Sequence, residues 1–357
     1  MKQAELRDII SGKYEGAYAA FVRLVFCPLS FVYRCAVQTR NKFYDSGTFK
    51  THKVSAPVIS VGNITAGGTG KTPLVAWLAK YILSKGKKCA IITRGYKAGR
   101  DPVDEPALLA HSAEGTPVII NPDRFTGAKE AIKNGAEVLI LDDAFQHRRL
   151  ARELDIVTID ATCPFGGGRV LPAGLLREPI QSLERAGAVI ITRADQADKT
   201  SVEEIKKTIL SVNPSLPIAT AAHKPVSIIN SSGDNLPLSS VKNKKVLTFC
   251  GIGNPDAFKN TVNSLGAIIT KSMVFDDHYH YSEDDIARIS DEAKASNAEL
   301  VLTTEKDFSK INGKWLEDKP NEFAHLTVEI ELLSGREVIT QLIDGAIAGK
   351  ITQAYNS

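Results

Sequence analysis

The residues best suited to chemistry lie in one run, GNITAGGTGKTP, at 62–73. Glycines 67, 68 and 70 carry no Cβ, so backbone N–H groups there can turn inward onto phosphate oxygens. Lys71 can reach β- and γ-phosphates, and Thr72 can place its hydroxyl on Mg²⁺. The stretch expected to cradle a nucleotide is Thr65, Ala66, Gly67, Gly68, Thr69, Gly70, Lys71 and Thr72. The strict pattern G-x-x-x-x-G-K-[ST] has a glycine where Thr65 stands, so the match is short by one residue.

A metal-bound polyphosphate also needs carboxylates and a group to orient the acceptor. VLILDD (138–143) is an apolar run ending in two acids, which points to Asp142 or Asp143 beside Mg²⁺. RGYK (94–97) sets Arg94 and Tyr96 at the carboxyl end of an apolar run, where open α/β sheets bind ligands. Asp104 and Glu105 follow and are candidate bases. LPAGLLREP (171–179) carries Arg177 and Glu178 in a Gly/Pro-rich loop, and an arginine there can neutralise developing charge. FDDHYHY (275–281) clusters Asp276, Asp277, His278 and His280, which by itself reads as an exposed turn. TRAD (192–195) is a distant match to the NKxD element that reads guanine.

The elements that must hold these residues alternate. Strands are expected at 57–62, 89–95, 117–120, 137–143, 155–160, 188–192 and 217–223. Helices are expected after Lys71, from the Asp123 cap to about Asn134, and through SVEEIKKTIL. The loop at 62–73 thus sits between a strand and a helix, as such a loop requires. Near-continuous apolar strands alternating with helices imply a mostly parallel sheet. Residues 224–244 are polar and turn-rich and read as a linker. The alternation restarts at KVLTFCG (245–251) and ends in a C-terminal helix. The expected organisation is an N-terminal membrane-associating segment (about 1–45) and a P-loop NTPase-like three-layer α/β/α domain, together spanning 1–223, and a smaller α/β/α domain over 224–357.

The chain has 357 residues and a net charge of +3, which gives no case for nucleic acid as a partner. Its five cysteines are scattered, so no zinc or redox motif is expected, and they fit a reducing cytoplasm. Charges interrupt the first 16 residues, unlike a signal peptide. Residues 17–36 are apolar and aromatic, yet only ten uncharged residues separate Arg23 from Arg34. A span needs about 20. With Pro28 as a breaker, the segment reads either as a buried helix or as a helix-break-helix on a membrane surface, and the membrane reading is favoured. Arg34, Arg40, Lys42, Lys50 and Lys53 against Asp45 suit an anionic leaflet.

Taken in order, GNITAGGTGKTP, RGYK, DEP (104–106), LDDAFQHRRL (141–150), LPAGLLREP, GIGNPDAF, FDDHYHY and TTEKD (303–307) resemble the tetraacyldisaccharide 4′-kinase family. The resemblance runs from about residue 28 to about residue 310. It implies transfer of the ATP γ-phosphate to the 4′-hydroxyl of a tetraacylated glucosamine disaccharide 1-phosphate, a lipid A precursor. It also implies a peripheral enzyme on the cytoplasmic face of the bacterial inner membrane, with the active site in a cleft between two domains. By resemblance, Asp104 is the general base and His278 pairs with it across the cleft. Lys71 and Arg177 act on the phosphates, and Thr72, Asp142, Asp143 and Glu178 serve the metal. Asn63, Arg94, Tyr96, Glu105, Gln146 and His147 line the acceptor side. No obligate protein partner is expected. The alternatives are a P-loop GTPase of switch or metallochaperone type and a soluble P-loop kinase of a small polar substrate.

Overall fold

The computed structural model describes residues 9–12, 14, 16–95, 104–317, 319 and 321–350, without the side chains of 104 and 105. Numbered from the first helix whose full range is described, the elements are α1 (Ala17–Asp45), β1 (Val58–Asn63), α2 (Lys71–Ser84), β2 (Cys89–Thr93) and α3 (Asp104–Ser112). Then come β3 (Val118–Ile120), α4 (Arg124–Lys133), β4 (Val138–Asp142), β5 (Leu154–Asp160), β6 (Ala188–Thr192) and α5 (Lys199–Val212). The chain continues through β7 (Ile218–Asn230), β8 (Asn235–Leu236), β9 (Lys245–Cys250), α6 (Pro255–Ser264), β10 (Ile268–Val274) and α7 (Glu283–Ala295). It ends with β11 (Leu300–Thr304), α8 (Glu305–Phe308), β12 (Glu322–Ser334) and α9 (Arg336–Ile347).

Two compact units emerge. The first holds the described residues up to 95, 109–222 and 331–350; the second holds 104–108 and 223–330. In the first unit the strand order is β7-β6-β5-β1-β4-β2-β3. Every pairing along that order is parallel. All six residues of β1 are buried, as are all seven of β5 and all five of β6, so both faces of these strands are covered, as in a parallel sheet. Gly62 has to be glycine, since a Cβ there would lie 2.6 Å from Phe145 Cβ. In the second unit β10, β9, β11 and β12 pair in parallel, and α7 opens on a Ser282–Asp285 capping box.

Three expectations are corrected. The stretch 224–244 is not a plain linker: β7 runs on to Asn230, β8 pairs with it antiparallel, and Ser227 and Thr327 hydroxyls bond at 2.6 Å. Polar residues survive in the extension because, of residues 224–230, only Ile228 is fully buried. The C-terminal helix α9 belongs to the first unit, packing on β1 and β5, so 331–350 do not continue the second domain. Finally, Pro28 does not break the N-terminal helix. α1 runs 29 residues with Pro28 inside it. Contacts on either side of the proline explain this. Arg23 donates to Ile9 O (3.1 Å), while Ser30 donates to Val170 O (2.9 Å) and Tyr33 to Arg177 O (2.9 Å). These outweigh the one backbone bond the proline removes. By length and composition α1 is long enough and apolar enough to cross a membrane.

Candidate phosphate-transfer site

The phosphate loop is built where β1 ends and α2 begins. Gly67 (φ 113°) and Gly70 (φ 79°) occupy left-handed backbone that side-chain-bearing residues avoid. The loop is stitched to the Gly/Pro-rich segment that carries Arg177. Ala66 N donates to Leu175 O (2.6 Å) and Arg177 N donates to Ile64 O (2.7 Å), with a bridge between Thr65 and Leu176. Thr65 thus takes a strand-like role that a glycine would not stabilise.

Three charged side chains converge at the loop. Lys71 Nζ lies 3.4 Å from Asp143 Oδ1, and Arg177 Nη1 lies 3.0 Å from each Asp143 oxygen. Burial by itself raises the Asp143 carboxyl. The Lys71 and Arg177 cations outweigh burial and hold it below the ordinary carboxylate range. Asp143 sits at φ 49°, a strained conformation for a residue with a side chain, just past the end of β4. Asp142 closes β4, with Thr93 Oγ1 at 3.5 Å from its Oδ2.

These residues fit Mg²⁺. Thr72, Asp142 and Asp143 offer only hydroxyl and carboxylate oxygen, the donors a hard cation takes. Beside them Asn63 is fully buried, and its Oδ1 has no hydrogen-bond partner among the described residues. Its Nδ2 donates to Thr65 O (2.6 Å), and Gln146 Nε2 donates to Asn63 O (2.9 Å), so both side chains brace the loop. His147 is pushed down to about 4 by burial, with Arg124 and Arg152 adding to the shift. Its imidazole is therefore neutral near pH 7.

Glu178 departs from its expected place on the metal. It is fully buried, and its carboxylate is taken by Arg40 (2.9 Å), Asn41 (3.2 Å) and Arg185 (2.7 Å). A buried carboxylate needs such pairing to remain charged. Its work is to tie α1 to the loop that carries Arg177. Arg94 is exposed at the end of β2. Tyr96 lies outside the described residues, as do the side chains of Asp104 and Glu105, and with them the expected Asp104–His278 contact.

His278 lies in the second unit on a turn held from below. Its N–H donates to Gly251 O (3.1 Å), and it adopts φ 62°. Gly251 N in turn donates to the fully buried Asp307 (3.0 Å), which also accepts from Thr304 Oγ1 (2.8 Å) and Lys310 Nζ (3.1 Å). GIGNPDAF, FDDHYHY and TTEKD, separate in sequence, therefore form one assembly within this unit.

One cation escaped the sequence reading. Arg124, 2% exposed, donates to Asn121 O (3.1 Å) and to Asp142 O (3.3 Å). Burial pulls its pKa down, while Asp142 and Asp143 oppose the shift. A signal was present: an arginine at the first position of a helix opposes the helix dipole and needs another reason to be there.

A parallel sheet, a glycine-lined loop at a helix N-terminus and a lysine beside paired carboxylates define a P-loop nucleotide-binding protein of the phosphotransferase type. Residues 22–348 match the family model described as tetraacyldisaccharide-1-P 4′-kinase (LpxK), and the chain belongs to that family. It is 40% identical over 309 residues to the tetraacyldisaccharide 4′-kinase of Syntrophus aciditrophicus, covering 79% of this chain and 82% of the relative. The enzyme of the same name from Halothermothrix orenii is 35% identical over 356 residues, covering 90% and 92%. The crystal structure of Aquifex aeolicus LpxK in complex with ATP superposes with a TM-score of 0.69 at 30% identity, covering 91% of this chain and 99% of that one.

Proposed function

We propose that this chain transfers the γ-phosphoryl group of ATP to the 4′-hydroxyl of a tetraacylated glucosamine disaccharide 1-phosphate, a step of lipid A biosynthesis. The observation that carries the reading is the convergence of Lys71 and Arg177 on Asp143 at a glycine-lined loop, in a chain of this family. The loop N–H groups and Lys71 bind the β- and γ-phosphates, and Arg177 faces charge that grows on the transferred group. Mg²⁺, when held by Thr72 with Asp142 or Asp143, neutralises phosphate charge. Arg124 holds the Asp142 end of β4 in place through its carbonyl.

Asp104 takes the proton of the acceptor hydroxyl, and His278 supports it. This assignment rests on the order of the DEP and FDDHYHY motifs and on the care with which the His278 turn is braced by Gly251 and Asp307. Arg94, Tyr96, Glu105, Gln146 and His147 belong to the acceptor side.

The enzyme works on the cytoplasmic surface of the inner membrane, with α1 as its contact. Phe21, Leu24, Phe31 and Val32 are each 62–69% exposed. A tetraacylated lipid stays in the bilayer, because each buried CH₂ contributes about 0.8 kcal/mol. The soluble-kinase alternative leaves that apolar face without a purpose.

The test is phosphorylation of a purified disaccharide 1-phosphate by labelled ATP in mixed micelles. ATP- and Mg²⁺-dependent formation of the 4′-phosphate supports the reading. Turnover of GTP with none of ATP, or labelling of small polar sugars in preference to the lipid, overturns it.

A further inference from the structure

The TRAD turn at the end of β6 has no part in the scheme above, yet it grips the phosphate loop from the sheet side. We propose that Arg193 is a positioning residue for phosphate binding: paired with Asp160, its guanidinium pins the Gly68 carbonyl and so aims loop N–H groups at the nucleotide.

Arg193 is 7% exposed and sits in left-handed backbone at φ 52°. Its Nη1 donates to Gly68 O at 3.0 Å and makes a close ion pair with Asp160 at the end of β5. One residue earlier, the Thr192 hydroxyl donates to Thr69 O at 2.9 Å. The Thr69 hydroxyl bonds Thr158 Oγ1 at 2.7 Å. Two successive loop carbonyls are thus held from the carboxyl end of β6, with Asp160 and Thr158 of β5 backing Arg193 and the Thr69 hydroxyl.

The consequence follows from peptide geometry. In a planar trans peptide the C=O and the following N–H point in opposite directions. Holding the carbonyls of Gly68 and Thr69 on the strands therefore turns the N–H groups of Thr69 and Gly70 the other way. In a glycine-rich loop those are the groups that meet phosphate oxygens. Glycines 67, 68 and 70 leave this loop with many alternative peptide orientations, so a fixed orientation has to be imposed from outside. A purely structural Arg193–Asp160 pair has no need to reach the loop carbonyl. The strained backbone at Arg193 is also consistent with a residue held in place for a function.

This inference rests on the loop at 62–73 being the phosphate site. The experiment measures ATP and ADP affinity by calorimetry, and adenosine affinity by competition with a fluorescent ATP analogue. Variants are Arg193→Ala, Arg193→Lys, Thr192→Val and, as a control on the underlying reading, Lys71→Ala. Arg193→Ala is expected to weaken ATP and ADP about tenfold to hundredfold, the worth of a charge-assisted hydrogen bond. Adenosine affinity and the lipid KM should stay within about twofold. Arg193→Lys should fall between the parent and Arg193→Ala, because it keeps the positive charge but has a shorter reach and a single nitrogen. Thr192→Val should give the same pattern at about threefold to tenfold.

Unchanged ATP affinity in folded Arg193→Ala, or in Thr192→Val where the alanine variant does not fold, overturns the proposal. So does a change in the ATP-to-GTP preference or an equal loss of adenosine binding, either of which marks the turn as a base reader. If Lys71→Ala leaves ATP binding intact, the phosphate-site reading itself fails, and that result is separate from the Arg193 series.

Discussion

Lys71 Nζ stands 3.4 Å from Asp143 Oδ1, so the cation we propose for phosphate binding rests on a carboxylate that also holds Arg177. The pairing keeps three charges in place that are only partly shielded from solvent, Asp143 being 25% exposed. It also ties the end of β4 to the start of α2 and to the 171–179 loop.

Removing the ammonium should be costly for chemistry. Lys71→Ala is expected to lower kcat/KM by roughly 10²–10³, the usual effect of losing one charge-stabilising donor. Steady-state kinetics at saturating Mg²⁺ measures it. An unimpaired Lys71→Ala enzyme sinks the phosphate-loop assignment.

Asp143 also predicts a pH dependence of stability. Its folded pKa lies below the unfolded value, which for an aspartate is about 3.9. Its contribution is therefore fully present above that pH and is lost as pH falls through the lower folded value. The Tm gap between the parent and Asp143→Asn should be constant from neutral pH to about 5 and close below about 3.9. A gap that widens on acidification contradicts the cation pairing.

Asp104 and His278 should behave as one unit. Asp104→Ala is expected to reduce kcat by about 10²–10⁴ with little change in ATP affinity. His278→Ala should act on the same step, so the double variant should be little worse than the worse single one. Multiplying losses in the double variant exclude a shared step.

The apolar face of α1 predicts vesicle binding. Replacing Phe21, Leu24 and Phe31 with serine touches three side chains that are 62–69% exposed, so Tm should hardly move. Each large apolar side chain contributes about 1.5–3 kcal/mol when fully buried. Sedimentation with anionic liposomes should fall by at least about tenfold even if insertion is partial. Unchanged sedimentation removes α1 from the membrane contact.

His325 provides a second pH signature. Burial pushes it down from 6.5 to about 4, and it packs on Phe308 at 4.6 Å with Nδ1 lacking a partner among the described residues. Between those values the unfolded chain binds the extra proton, so stability falls as pH drops from 6.5 towards 4. His325→Leu should flatten that part of the Tm profile. An unchanged slope assigns it to other groups.

The chemistry that lies close along the chain was legible in the residues themselves. GTGKT between a strand and a helix, and two aspartates closing an apolar strand, carry their meaning within a dozen positions, because β-strand ends and helix starts fix where side chains go. The parallel sheet was legible for a similar reason: strands such as β5 and β6, buried on both faces, leave no polar alternation. The extension of β7 to Asn230 was not, since a half-buried polar strand looks like a turn-rich linker.

Other features were decided only when distant segments met. Arg40 and Arg185 reach Glu178 from opposite sides in sequence and turn an expected metal ligand into an anchor for α1. Arg124 meets the Asp142 carbonyl across 18 positions, and Arg193 meets Gly68 across 125. Pro28 reads locally as a helix breaker, yet contacts to Val170 and Arg177 keep the helix whole. Local sequence fixes which backbone conformations are cheap. Which buried charges find partners depends on the packed chain, because the cost of an unpaired charge exists only once water is excluded.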